Sequence, residues 1–227
     1  MREQKESHNA SRRETRALRM AQELKRIFPG TTHTALSYRS PWELVVAVIL
    51  SAQCTDKKVN EVTQKLFRKY RSLKDYVRAG QRAFEQDIRS TGFYRNKAKN
   101  ILAAARLLQE EFRGKIPRTM HELMQLPGIA RKTANVVLGN LYGIVKGIAV
   151  DTHVRRFVLK FDLSDSHDPN KIEQDLMKLL PEKEWFNFSN HLIEYGRQIC
   201  PARKHDCTHH PLTALWLPAA RRWPSAK

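Results

Sequence analysis

Apolar residues recur at helical spacing along nearly the whole chain, and nowhere alternate at the two-residue spacing of a half-buried strand. That single property restricts the fold to packed helices. "RRETRALRMAQELKRIF" puts Leu18, Ala21, Leu24 and Phe28 on one face, and "KVNEVTQKLFRKY" does the same with Val59, Val62, Leu66 and Tyr70. "SPWELVVAVILSAQ" opens with Ser40 as N-cap, Pro41 in the first helical position and Glu43 three residues after the cap. Its unbroken apolar run reads as a buried helix, although pattern alone also admits a strand of that length. "NKAKNILAAARLLQEEF" stops at Gly114, and "TMHELMQ" carries a second capping box, Thr119 with Glu122. "RKTANVVLGNLYG", "THVRRFVLKF", "NKIEQDLMKLLP" and "WFNFSNHLIEYGRQI" extend the series to about ten helices. No low-complexity stretch or linker separates them, so two domains, where present, are interleaved.

Lys and Arg number 41 against 23 Asp and Glu, a formal net charge of +18. An excess of that size predicts a polyanionic partner, nucleic acid first and an anionic membrane surface second. No apolar run approaches the roughly 20 residues of a membrane span. "MREQKESHNASRRETRALRM" has no apolar signal core. Three cysteines fit a reducing, intracellular setting better than a disulfide framework.

The segment richest in chemistry is "MHELMQLPGIARKTANVVLG". A capped helix ending at Gln125 is followed by a turn at "LPGIA" and a new helix near Arg131. Backbone N–H groups at such a helix start suit a phosphate, and Arg131 and Lys132 add charge beside them. The plain alternative is a helical corner with two surface cations. Nineteen residues after Lys132, "GIAVDTHVRR" delivers Asp151 to a helix start, where the simplest role is an N-cap. Together the pair suggests more. A lysine becomes a nucleophile when it loses its proton, and a carboxylate can take that proton or stabilise a developing cation.

"LPGIARKTANVVL" followed by "VDTHVRR" resembles the helix–hairpin–helix, Gly/Pro-rich loop and Asp signature of the endonuclease III family of DNA glycosylases. "LSAQCTDKKVN", "TGFYRNKAKNI" and "YGRQICPARKHDC" resemble the same family in the same order, over roughly residues 15 to 210. The resemblance implies an all-α fold of two interleaved helical domains: 34–145, a helical barrel with the helix–hairpin–helix, and 10–33 plus 146–227. It implies that Lys132 attacks C1′ of a damaged nucleoside, and that Asp151 activates the lysine or supports the cationic sugar. Gln53 matches the residue that fills the gap left by a flipped nucleotide. Phe93 stands where the family has an aliphatic wedge, although it also suits a core position. Gly128, Ala130, Arg131 and Thr133 would hold phosphate through the hairpin, without reading sequence. Ala130 replaces a usual glycine there, and Cys54 reads as a small buried hydrophobe.

The expected function is a bifunctional glycosylase and abasic-site lyase. It would remove oxidised pyrimidines from double-stranded DNA, as a monomer, without membrane attachment, in the cytoplasm at the nucleoid. The alternatives are a monofunctional or mismatch-specific glycosylase and a non-catalytic DNA-binding module. The final stretch, "CPARKHDCTHHPLTALW", departs furthest from the family. Many relatives hold a four-iron cluster on C-x6-C-x2-C-x5-C, and here those positions are Cys200, Cys207, His210 and Trp216. Four cysteines are the norm for such clusters. The expectation is therefore no metal centre and no cofactor, with zinc on Cys200, Cys207 and His210 as the alternative. Leu212, Leu215, Trp216 and Leu217 would pack in the cluster's stead, and Arg203 and Lys204 would face the DNA backbone.

Overall fold

The computed structural model describes residues 2–30 and 33–223, with side chains from residue 10 onward. Residues 31, 32 and 224–227, assigned by the sequence to the second domain, lie outside them. The described residues form twelve α-helices and two 3-10 helices, with no strand. They divide into two compact units, one of residues 34–144 and one of the segments up to 33 and from 145 onward.

In the 34–144 unit the apolar run is a helix, α2 (Pro41–Leu50), whose Trp42 and Leu44 through Leu50 are all buried. A helix apolar on every side has to sit at the centre of its unit, and α3 (Asp56–Lys69), α6 (Tyr94–Glu111) and α8 (Arg131–Tyr142) pack around α2. Each fully buried Leu, Val or Ile contributes about 1.5–3 kcal/mol. Ser40 caps α2 by accepting from the Glu43 N–H at 3.2 Å, while the Glu43 carboxylate reaches back to the N–H of Arg39 at 2.6 Å, one residue beyond the usual reciprocal bond. The inner face read for this segment is buried: Val59, Val62 and Leu66 on α3 and Tyr70 at its C-cap. Between α3 and α6 lie α4 (Leu73–Arg78), α5 (Gln81–Asp87) and a 3-10 turn (Arg89–Thr91). Tyr70, Tyr76 and Phe84 stack there with ring centroids 5.2–5.7 Å apart, as edge-on or tilted aromatic contacts favour.

The other unit is built on α1 (Arg2–Ile27), which packs against α10 (Pro169–Leu179), α11 (Glu182–Gln198) and α12 (Pro211–Leu215). Its buried stripe is Ala17, Met20, Ala21, Leu24 and Phe28, with Leu18 only partly buried at the rim. Between the two chain segments, Arg13 and Arg16 both reach Asp162, which sits just after α9 (Thr152–Lys160) with φ +53°. Burial pushes the Asp162 carboxyl up, but Arg13, Arg16 and Arg222 together hold it below the usual carboxylate range.

Candidate functional site

The hairpin forms from α7 (Met120–Leu123) and α8. Thr119 caps α7, accepting from the Glu122 N–H at 3.2 Å. Leu126 and Ile129 are buried and anchor the turn between the helices. Gly128 is exposed with φ +85°, and a Cβ there would stand 3.0 Å from Cβ of Asn100 on α6. Both the backbone sign and the close approach call for glycine. Ala130 is the N-cap of α8 at φ −92°, ψ 172°, ordinary extended backbone in which alanine takes no strain. No side chain caps α8, so its first-turn N–H groups are left to other partners. Arg131, Lys132 and Thr133 fill that turn and are half-buried.

Gln53 and Phe93 share a rarer property. Both have left-handed backbone, φ +51° and +47°, and both side chains are exposed, Phe93 to 68%. Phe93 is thus no core residue. It follows Gly92 (φ +70°) and forms the N-cap of α6. A non-glycine residue in this region costs on the order of 1–3 kcal/mol and persists only where neighbours enforce it. A group the sequence does not single out is bonded to the backbone beside both. Lys97, buried in the first turn of α6, donates from Nζ to the carbonyls of Leu50 and Thr91, each at 2.8 Å. Leu50 lies three residues before Gln53 and Thr91 two before Phe93, so one ammonium ties both loops together. Burial pushes the Lys97 pKa below its ordinary value, opposed by nearby Cys54, which packs half-buried against the core.

Asp151, Arg203 and Lys204 belong to the other unit. Asp151 is the N-cap of α9, accepting from the Val154 N–H at 2.8 Å through Oδ1. Ile148 and Val150 are buried and fix the segment leading into it. The cap engages one carboxylate oxygen. Arg203 and Lys204 are exposed on the loop that follows Cys200.

That loop overturns the expectation of no metal centre. Cys200, His205, Cys207 and His210 converge, with one ligand atom of each within 4.8 Å of all the others. His205, which falls on none of the family's four ligand positions, supplies the fourth donor. Its Nδ1 lies 2.6 Å from the carbonyl of Arg203; a carbonyl only accepts, so Nδ1 carries the proton, and Nε2 is the ring atom left to act as a ligand. His205 Nε2 and His210 Nδ1 are both buried without a hydrogen-bond partner. Buried polar atoms are seldom left so unless something else engages them. Burial lowers the His210 pKa, aided by His205 and Lys160, and raises that of Cys200 against the pull of Arg156. Arg156 lies 3.9 Å from Cys200 Sγ through Nη1 and donates to the Cys200 carbonyl at 2.7 Å. Trp216 serves elsewhere, under the guanidinium of Arg16 at 4.3 Å and against Phe161 at 6.5 Å. Of the packing set expected there, Leu212 is buried, Leu215 and Trp216 are partly so, and Leu217 is 64% exposed and contributes little.

Residues 46–182 match the family model described as HhH-GPD superfamily base excision DNA repair protein. The chain is 50% identical over 192 residues to endonuclease III of Synechocystis sp., covering 85% of this chain and 87% of that one. It is 43% identical over 188 residues to endonuclease III of Bacillus subtilis, covering 82% and 85%. A solved structure of a trapped endonuclease III–DNA covalent intermediate, 41% identical, superposes with a TM-score of 0.86 over 93% of this chain and 99% of that one.

Proposed function

Since the chain belongs to the endonuclease III family of the HhH-GPD base excision DNA repair proteins, we propose that Lys132 and Asp151 carry out its glycosylase and abasic-site lyase chemistry. The protein is a DNA glycosylase and lyase, and its partner is double-stranded DNA. The observation that carries the residue assignment is the hairpin: Lys132 stands in the first turn of α8, which no side chain caps, four residues after Gly128, whose positive φ and close approach to Asn100 favour glycine.

In this reading the neutral amine of Lys132 attacks C1′ of the damaged nucleoside, and the N-glycosidic bond breaks with its electron pair leaving on the base. The lysine nitrogen then loses a proton as the sugar opens to a Schiff base. Loss of a C2′ proton expels the 3′ phosphate by β-elimination, and water releases the enzyme. Asp151 accepts a proton or balances the cationic sugar, a task open to it because capping engages one oxygen. Gln53 fills the vacated stack and Phe93 wedges beside the orphan base, which suits their exposure on tied, left-handed loops. Gly128, Ala130, Arg131 and Thr133 take a phosphate through the hairpin amides, while Arg203 and Lys204 contact the backbone. The substrates are duplexes bearing oxidised pyrimidines or abasic sites.

The family's four-cysteine cluster set is incomplete in this reading, with His210 and Trp216 at two of its positions. No described helix is long and apolar enough to cross a membrane. The proposed place of action is the nucleoid, with the enzyme as a monomer. Borohydride trapping on an abasic-site duplex tests the assignment. Lys132→Gln should abolish both the covalent adduct and base release while duplex binding persists; trapping at the unmodified level would refute it.

A further inference from the structure

We infer that Cys200, His205, Cys207 and His210 bind a single zinc ion in place of the family's iron–sulfur cluster. The residues do not fit a four-iron cluster. Two thiolates stand where four are the norm, and the fourth family position is Trp216, occupied with Arg16 and Phe161. A cubane also interposes its own irons and sulfides between its ligands, whereas these four donors crowd within 4.8 Å of one another. Zinc–sulfur bonds of about 2.3 Å and zinc–nitrogen bonds of about 2.0 Å set tetrahedral donors roughly 3.3–3.8 Å apart. Closure by at most about 1.0–1.5 Å completes that shape.

The spacing fits once the ligands are grouped correctly. The two cysteines are too far apart to form one zinc half-site, but Cys200 with His205 and Cys207 with His210 make two Cys–His halves, four and two residues between ligands. Both separations are ordinary for zinc. Two thiolates and two imidazoles in a closed, four-donor set select zinc among common divalent ions. Binding releases two thiol protons and leaves a neutral centre, Zn(thiolate)2(imidazole)2. The outer contacts are also in place: His205 Nδ1–H is held by the Arg203 carbonyl, and Arg156 faces Cys200 Sγ. His209, exposed beside His210, is no ligand.

Four protein ligands leave no open position, so the ion is structural rather than catalytic. Its ligands bracket Arg203 and Lys204, and one holds the Arg203 carbonyl, so the metal fixes the exposed basic loop. The inference is independent of the role given to Lys132.

The test uses the full chain, produced with both iron and zinc supplied and purified without chelator. Elemental analysis should find about one zinc per chain and no acid-labile sulfide. Cobalt(II) exchanged into the site should give the intense visible bands of tetrahedral coordination with thiolate charge transfer. His205→Ala should weaken zinc affinity by more than about 100-fold, since losing even an outer-shell partner costs about 10- to 100-fold, while His209→Ala should leave it unchanged. Trypsin should cut after Arg203 or Lys204 faster once the metal is stripped. Iron with stoichiometric sulfide would overturn the inference. So would failure to retain zinc after equilibration and desalting, or equal affinities for the two histidine variants.

Discussion

Replacing Lys97 by methionine keeps a four-atom stem, with sulfur in place of one methylene, and removes the terminal ammonium with its donors. Burial of the stem is preserved, so the packing change should stay below about 1.5 kcal/mol. The polar change is larger. The carbonyls of Leu50 and Thr91 each lose a charged donor at 2.8 Å in a buried setting, and a buried acceptor left unsatisfied costs about 1–3 kcal/mol. Against a gross loss of about 2–6 kcal/mol stands the relief of no longer burying an ammonium, whose penalty shows in the depressed Lys97 pKa. A net destabilisation of about 2–4 kcal/mol is expected, read as a lower urea midpoint at unchanged m-value. The pH dependence has a definite sign. A lysine whose folded pKa lies below its unfolded value, about 10.4, binds more protons unfolded, so its contribution to stability rises with pH from the folded pKa up to the unfolded one. The neutral amine still has two N–H groups for two carbonyls. The stability gap between parent and Lys97→Met should therefore widen toward alkaline pH. A variant within 0.5 kcal/mol of the parent, or a gap that narrows as pH rises, would refute the tie between the loops.

Asp151→Asn should lose little stability, because asparagine caps nearly as well as aspartate, while base release falls by orders of magnitude; normal activity would leave Asp151 a cap alone. Gly128→Ala meets both a positive φ and Asn100, and should cost about 1–3 kcal/mol with weaker binding of undamaged duplex; unchanged thermal melting would contradict the close approach. With a net charge of +18, the logarithm of duplex affinity should fall steeply and linearly with the logarithm of salt concentration, and a flat titration would remove phosphate contacts from the account.

Elements written in local code were legible from the sequence. The Ser40 and Thr119 caps and the inner face of α3 each follow from residues a few positions apart, whereas α6 ends at Glu111, before Gly114, with Arg113 already left-handed. Helices α4, α5 and α12 were not legible, because at six, seven and five residues they are shorter than the window in which a helical period declares itself. The candidate site divides in the same way. The hairpin and Asp151 lie on contiguous motifs. His205 is hidden because the family's cysteine spacing falls on positions 200, 207, 210 and 216, and His205 occupies none of them. Only folding shows that a histidine between two cysteines points to the same place as they do. Lys97 is one of 41 basic residues, and nothing in its neighbourhood announces that two carbonyls far apart in the chain await it.

The loops bearing Gln53 and Phe93 pose a physical problem whose solution explains that lysine. In the role proposed for them each side chain enters a base stack and cannot also fasten its loop, which agrees with the exposure of both. Holding both in left-handed backbone costs on the order of 1–3 kcal/mol each, and two exposed side chains offer little burial to offset it. The restraint has to come from the backbone beside them. A hydrogen bond from a charged donor contributes about 1.5–3 kcal/mol, so two from one ammonium match the cost of two strained residues. A neutral side chain of the same reach would supply weaker bonds, and an apolar one none. The buried charge is thus the price of presenting two free side chains on stiff loops, and its removal should loosen both loops together rather than either alone.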